Sequence, residues 1–386
     1  MGKIEHIEGI HYQTQRPIRL TFDGEWITGM EEQEHISSSL MIAPGLVDLQ
    51  VNGFQGVDFN EPGLTVDEVV SCTRRLWENG VTTFFPTLIT ASEAALSDAI
   101  KKIVQACQDP VIARTIAGIH LEGPFISKDA GPRGAHPLKY VQAPNWGLVS
   151  RLQKVAKGKI KLVTLSPEHD QTNEVIKKCV AEQIHVAIGH TAAKTDQLGK
   201  AVEVGADLST HLGNAAHLSL PRHPNYIWDQ LALDGLWTSM ISDGFHLPDA
   251  VMKVFMRVKP DKTFLVSDST KFAGQPAGSY QSPIGGTVRL SPGGRLCMQD
   301  NPNLLAGSAA SLKSCLEYLA RAKLASLPQA IDMASIRPLS YLAKGKKIKA
   351  FQKGSRADVV LFEYKDHKMV IHRAIKSGRQ VYSSEI

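Results

Sequence analysis

Short apolar runs, most of them closing on glycine or a polar residue, recur through the middle of the chain. Eight can be read, over residues 45–53, 81–90, 116–124, 159–167, 184–191, 206–215, 237–246 and 263–270. Many are followed by a segment with apolar positions at helical spacing, which predicts helices over 65–79, 92–108, 171–182, 195–204 and 248–258. Strands alternating with helices across roughly 250–300 residues predict a (β/α)8 TIM-type barrel of the α/β class. A doubly wound sheet would carry a phosphate-binding GxGxxG after an early strand, and the chain has none.

The two ends read differently. Residues 18–22 and 25–27 flank Asp23-Gly24, a hairpin signal between alternating segments, and residues 357–362, 369–372 and 380–382 repeat the strand pattern. A small β-sandwich domain built from both termini is therefore expected, from residues 1–43 and 345–386, around a barrel over 44–344. The Gly- and Pro-rich stretch 278–307 reads as an inserted hairpin, with two helices after it at 308–323 and 327–344.

Composition narrows the class without choosing a function. A chain of 386 residues, 43% hydrophobic and 21% charged, holds enough apolar material for one large core and an appendage. The net charge of +5 is spread out, with no basic block of the kind that tracks nucleic acid. Five scattered cysteines, odd in number and without CxxC spacing, suit a reducing cytoplasm better than a disulfide framework. No apolar core of signal-peptide length opens the sequence, and no run approaches the roughly 20 residues that span a bilayer. The expectation is a soluble cytoplasmic protein that takes a small molecule, with no nucleic-acid or membrane partner.

In a barrel, chemistry gathers where strands end. Those ends here hold Gln50 and Asn52, His120 and Glu122, His190, His211 and Asn214, Asp243 and His246, and Asp268. Glu122, His190 and His211 together offer three ligands to a borderline divalent ion and leave room for water. Such an ion lowers the pKa of water toward about 7. Asp268 is then the candidate base that takes a proton and returns it to a leaving group. His246 is a candidate hydrogen-bond donor to a scissile carbonyl. Other histidines have plainer readings. His120 shares the parity of Glu122 and either backs it or fills the barrel; His185, on the opposite parity to His190, reads as structural. His6, His11, His35, His367 and His372 fall in terminal segments and read as bystanders.

At these residues the chain resembles the amidohydrolase superfamily and, more narrowly, its N-acetylglucosamine-6-phosphate deacetylase branch. The resemblance is carried by "PGLVDLQVNGFQGVDFN", "GIHLEGPFI", "RGAHP", "AIGHT", "STHLGNAAHLSLPRHP", "ISDGFHLP", "FLVSDST" and "KGSRADVVLF", in matching order from about residue 43 to 362. It implies hydrolysis of the acetamide of N-acetyl-D-glucosamine 6-phosphate to D-glucosamine 6-phosphate and acetate, within amino-sugar catabolism or recycling. It further implies Glu122, His190 and His211 as metal ligands, Asp268 as acid/base, and His246 near the substrate carbonyl. By the same resemblance His136 lines the sugar site, while Asn214, the amide of Ala215, and Arg222 contact phosphate. A homodimer with Arg222 reaching across the interface is likewise implied.

Where related hydrolases place His-x-His on strand one, this chain has Gln50-Val51-Asn52. Two amides cannot replace two imidazoles around a second cation, but they can hydrogen-bond substrate or water. One divalent metal per subunit is expected, zinc first, with Fe(II), Mn, Co and Ni also compatible. Gly213 and the "HLSLPRHPN" loop depart from the branch's usual text, at the wall expected to meet the sugar. His217 and His223 in that loop are read as loop residues. The galactosamine epimer, another amidohydrolase-type amidase, and a non-catalytic sugar-phosphate sensor are the alternatives.

Overall fold

The computed structural model describes residues 5–36, 38–282 and 286–384. Eight parallel strands follow one another around the centre: β1 Leu46–Val51, β2 Val81–Ile89, β3 Ile119–Glu122, β4 Ile160–Leu165, β5 His185–Ile188, β6 Leu208–Ser209, β7 Trp237–Met240 and β8 Thr263–Leu265. Each pairs with its neighbour in sequence, and a parallel bridge between Val51 and Ser269 brings the last strand's end back to the first. The Ser267 amide donates to Asp48 Oδ1 at 3.2 Å and fastens the same join. This is the (β/α)8 barrel expected from the alternation.

Two apolar layers follow from strand parity. Val47, Leu49, Phe85, Leu162, Ala187, Leu208, Phe264 and Val266 fill the interior, while a larger set packs the strands against the helices. Above that apolar filling lies a buried polar layer. His120 Nε2 sits 2.7 Å from Thr164 Oγ1, which is 2.8 Å from Thr210 Oγ1. His120 thus occupies the barrel interior two residues below Glu122 on the same parity.

Helices form largely where periodicity and caps agree. Val66–Glu78 starts on Thr65, whose hydroxyl accepts the Glu68 amide while the Glu68 carboxylate accepts the Thr65 amide. Among the helices that the apolar pattern passed over are Trp146–Val155 and Tyr226–Ala232, each capped by an asparagine side chain, Asn145 and Asn225. The single helix expected over 327–344 is two, Leu327–Met333 and Ile336–Leu342, because Ser335 (φ −143°, ψ −73°) breaks the helical backbone.

Strands from both termini pair in one seven-stranded sheet, with Met41–Pro44 joined to Val359–Lys365 at its centre. The expected inserted hairpin is instead a three-stranded antiparallel sheet of Gly278–Gln281, Thr287–Leu290 and Leu296–Met298. A second reversal at Ser291–Gly294 (Gly294 φ +89°) adds the third strand, which lets Leu296 join Val288 and Leu290 over Phe272. Among the described residues no helix is long and apolar enough to cross a membrane.

Candidate active site

The barrel strands end earlier than their apolar runs, and the residues just beyond them carry the polar groups. His190, His211 and Asp268 all adopt left-handed backbone, at φ 51°, 28° and 48°. A residue with a Cβ in that region costs on the order of 1–3 kcal/mol, so surrounding bonds must hold it there. For His211 the clamp is Ser239, whose hydroxyl accepts the His211 amide at 2.8 Å and whose carbonyl accepts the Leu212 amide. Beside Asp268, the Ser269 amide donates to Ser267 Oγ at 3.1 Å, and the Thr270 amide donates to the Ser308 carbonyl. The turns aim three side chains into the mouth that continued strands would have sent to alternating faces.

Glu122 is the centre of the cluster. Its Oε1 lies 3.1 Å from His190 Nε2, 3.1 Å from His211 Nε2 and 2.8 Å from Gln50 Nε2. Burial alone would raise the Glu122 pKa, but hydrogen bonds from the two histidines and their charge hold it well below the usual carboxylate range. Burial opposes charge on His211 as well, yet its hydrogen bond with Glu122 and that carboxylate's charge outweigh it and raise its pKa. His190 Nδ1 lies 3.0 Å from the Pro132 carbonyl, which can only accept. With Nδ1 committed to that carbonyl, Nε2 is the His190 atom left to face Glu122: carrying a proton it donates to the carboxylate, and without one it offers a lone pair that a cation between the two would take. His211 Nδ1, buried and unpartnered, is a further unmet polar atom.

The donor set fits one divalent ion. Among the described residues Glu122, His136 and His190 offer ligand atoms all within 4.8 Å of one another, and His211 approaches the same carboxylate oxygen from the other side. His136 differs from the other two histidines in its tautomer. Its Nδ1 receives the Thr90 amide at 3.4 Å, besides lying 2.8 Å from Thr90 Oγ1. A backbone amide can only donate, so the His136 proton belongs on Nε2, which makes that atom a donor. Burial, then the charge of His190, push the His136 pKa down to about 3, so the ring is neutral.

An irregularity in the β1–β2 register between Asp48 and Val51 turns Gln50 to Glu122, although Val47 and Leu49 fill the interior. Asn52 Nδ2 donates to Asp268 Oδ1 at 2.7 Å, and Asn52 Oδ1 is buried without a partner. Each amide on strand one thus gives its N–H to one of the site's carboxylates. Asp268 has a pKa raised to about 6, by burial first and the charge of Glu122 second, against His211 and the Asn52 hydrogen bond. His246 Nδ1 lies 2.7 Å from Asp243 Oδ2.

The remaining candidates lie on the loop after β6. Asn214 follows His211, held by its Nδ2 donating to the His211 carbonyl at 3.2 Å, and Ala215 has left-handed backbone at φ 47°. Arg222 is exposed, near fully exposed Leu218 and half-exposed Trp228. Its side chain meets no partner among the described residues. His217 is tied to Tyr226 (Nδ1 to OH, 3.0 Å) and faces Asp129 (3.4 Å), while His223 is exposed. His185 pairs with Asp207 at 2.5 Å, at the opposite end of its strand from His190.

Sequence reasoning placed Asp243 on the rim without a role and passed over other groups that orient these side chains. Asp243 was visible as the first residue of Asp-x-x-His, a spacing that lets one carboxylate take amides two and three residues on. Thr90 and the Pro132 carbonyl gave no such signal, because they meet His136 and His190 only through the fold.

A carboxylate, several histidines and a poised aspartate on the C-terminal rim of a β/α barrel define a metal-assisted hydrolase site. The amidohydrolase family model matches residues 41–381, and the chain belongs to that family. Its similarity is strong to one branch. N-acetylglucosamine-6-phosphate deacetylase of Rattus norvegicus is 31% identical over 355 residues, covering 89% of this chain and 84% of the relative. N-acetylgalactosamine-6-phosphate deacetylase of Escherichia coli O157:H7 is 27% identical over 329 residues, covering 84% of each. The same fold is seen in N-acetylglucosamine-6-phosphate deacetylase of Pasteurella multocida, with TM-score 0.85, 24% identity and coverage of 98% and 100%.

Proposed function

We propose that this chain hydrolyses the acetamide of N-acetyl-D-glucosamine 6-phosphate, giving D-glucosamine 6-phosphate and acetate. The observation that carries the reading is Asp268: it is anchored by Asn52, it borders Glu122 and His211, and its pKa is raised to about 6. A carboxylate with that pKa is largely ionised at neutral pH yet basic enough to take a proton. Glu122, His190 and His211 would hold the divalent ion, zinc first by donor chemistry, which when bound supplies Lewis acidity toward the carbonyl and acidifies water.

The chain's own residues perform the rest. Asp268 removes a proton from the attacking water as its oxygen bonds to the acetyl carbon. It then passes that proton to the amide nitrogen as the C–N bond breaks, leaving acetate and a free amine. His246 donates to the carbonyl oxygen, where negative charge builds. Gln50 fixes the Glu122 carboxylate in place, and neutral His136 offers Nε2–H to the sugar. The phosphate is met by Asn214, the Ala215 amide and Arg222, whose planar fork matches it. Arg222 reaches the site of a second copy in a homodimer; its exposed loop, with Leu218 and Trp228, supports that placement. The free cysteines suit a cytoplasmic location.

The test is acetate release from the phosphorylated sugar by the metal-loaded protein and by Asp268→Asn. Loss of turnover with the metal content unchanged is the expected result, and full activity in the variant would sink the mechanism. The epimeric N-acetylgalactosamine 6-phosphate is the second reading, favoured by the likeness to the E. coli O157:H7 relative. The kcat/KM ratio for the two epimers decides between them, since a site that hydrogen-bonds one hydroxyl discriminates strongly.

A further inference from the structure

At the end of the barrel away from the catalytic rim, a cleft of about 320 Å³ opens between the barrel and the terminal sheet. Its barrel side is the approach to β1 (Pro44, Gly45) and the start of β2 (Thr82, Thr83). The sheet contributes Ile27, Asp358 and Lys376. An outer wall comes from the helix Ile336–Leu342 and the segment after it, through Leu339, Leu342 and Ile348. These three side chains are only partly buried, so water still reaches apolar surface that a ligand could dry.

The floor holds buried polar groups that the fold has not used up. Lys376, 2% exposed, donates to Thr83 Oγ1 at 2.9 Å and to Asp358 Oδ2 at 2.6 Å. An ammonium carries three N–H donors, so one is left over. Thr82 Oγ1 is buried beside it in the lining and has no hydrogen-bond partner, a state that folded proteins rarely leave unanswered. Charge points the same way. Arg114, Lys349, Arg356 and Lys376 line the cleft. Glu25 serves Arg114 and Arg356 together, Asp358 serves Lys376, and Lys349 has no partner among the described residues. The cleft is therefore left positive. Apolar walls around a few convergent polar groups are the usual form of a small-molecule site.

We infer that this cleft binds a small amphipathic anion, an aliphatic chain ending in a carboxylate. The chain lies on Leu339, Leu342 and Ile348, and the carboxylate takes the spare N–H of Lys376 and the hydroxyl of Thr82. An amine of the same length would set its charge against Lys376, and an alcohol would leave the excess positive charge unmet. The occupant touches the barrel and the terminal sheet at once, so it ties the two together. Nothing in this assignment depends on the proposed hydrolysis.

Octanoate is the probe, with octylamine and octanol as controls, titrated calorimetrically into the zinc-loaded protein. Octanoate is expected to saturate one site per chain, to shift the methyl NMR signals of Leu339, Leu342 and Ile348, and to raise the melting temperature. Octylamine does not bind there, and octanol binds about tenfold more weakly or worse. Lys376→Met lowers octanoate affinity by about 10- to 100-fold. Because that variant also loses stability, Thr82→Val, which keeps the side-chain shape, is the second test and lowers affinity several-fold. Leu339→Trp fills the cleft and abolishes binding with zinc content unchanged; Ile348→Trp, on the outer wall, does the same without disturbing the barrel floor. A carboxylate can also ligate the active-site metal, and the filled variants separate the two sites. Octanoate binding that survives both tryptophan variants, equal binding of octylamine, or no saturable binding would each overturn the inference.

Discussion

Asn52→Asp is the most revealing single change in the site. It replaces the N–H that Asp268 Oδ1 accepts at 2.7 Å with a second carboxylate oxygen at the same place. Two unit charges about 3 Å apart repel by about 5 kcal/mol at an effective dielectric near 20. The Asp268 side chain keeps some exposure, so roughly half of that survives, or about two pKa units. Starting from about 6, the Asp268 pKa then lies near ~8. At pH 7 the ionised fraction falls from about nine-tenths to about one-tenth. The base form is needed for the reaction, so kcat/KM at pH 7 drops about tenfold and recovers toward about pH 9. A bound cation lowers parent and variant values alike, so the measured quantity is the difference between their acid limbs. Asn52→Ala, which removes the donor without adding charge, moves the limb less. Stability carries a second signature of the same sign. A folded-state pKa above the unfolded one makes folding release fewer protons, so the variant loses stability as pH rises from about 4 to about 8. An acid limb within a few tenths of a unit of the parent's, or an equal shift in Asn52→Ala, would refute the electrostatic account.

Three further outcomes follow from the same geometry. Chelation abolishes activity, and one equivalent of zinc per chain restores it; a requirement for two would contradict a site in which Gln50 and Asn52 occupy strand one. Gly244→Ala places a Cβ 2.2 Å from Tyr318 at φ +81°, so a stability loss of about 1–3 kcal/mol in thermal unfolding and a fall in kcat are expected. Lys376→Met removes a buried ammonium that donates to Asp358 Oδ2 at 2.6 Å and to Thr83 Oγ1 at 2.9 Å. It lowers the melting temperature through a loss of about 3 kcal/mol and leaves kcat at 25 °C unchanged.

The barrel was legible because its signal is periodic: each apolar run is long enough to survive small errors at its ends. What stayed hidden lies at those ends. The run through Ala206–Ala215 reads as one strand, yet regular pairing stops at Ser209 and the chain turns at His211 in a conformation no periodicity announces. The composition of the rim, Glu122 with His190, His211 and Asp268, was readable as chemistry because residue types on successive strand ends must converge. The partners that orient them were not, because Thr90 to His136 and Pro132 to His190 are contacts between positions 46 and 58 residues apart. The same holds for Gln50: its residue type excluded a second imidazole pair, but only the register shift in β1 shows that its amide belongs to Glu122. The third strand of the 278–298 insertion was missed because "SPGG" reads equally well as a loop and as a tight reversal between strands.

The seam of the barrel sets when this protein can first become active. Asn52 and Asp268 are 216 residues apart and meet only where the last strand closes on the first. On either side of that seam the Gly45 amide donates to the Asp358 carbonyl, and Met41–Pro44 pairs with Val359–Lys365. A chain emerging from the ribosome thus presents Glu122, His190 and His211 before Asp268, so the base is the last of these groups to reach its anchor at Asn52. Outside the barrel, the pairing of Pro44 with Val359 joins segments more than 300 residues apart, a contact of high sequence separation. Turnover therefore depends on a seam that only the last barrel strand completes, and a chain ending before Asp268 carries Glu122, His190 and His211 without the base.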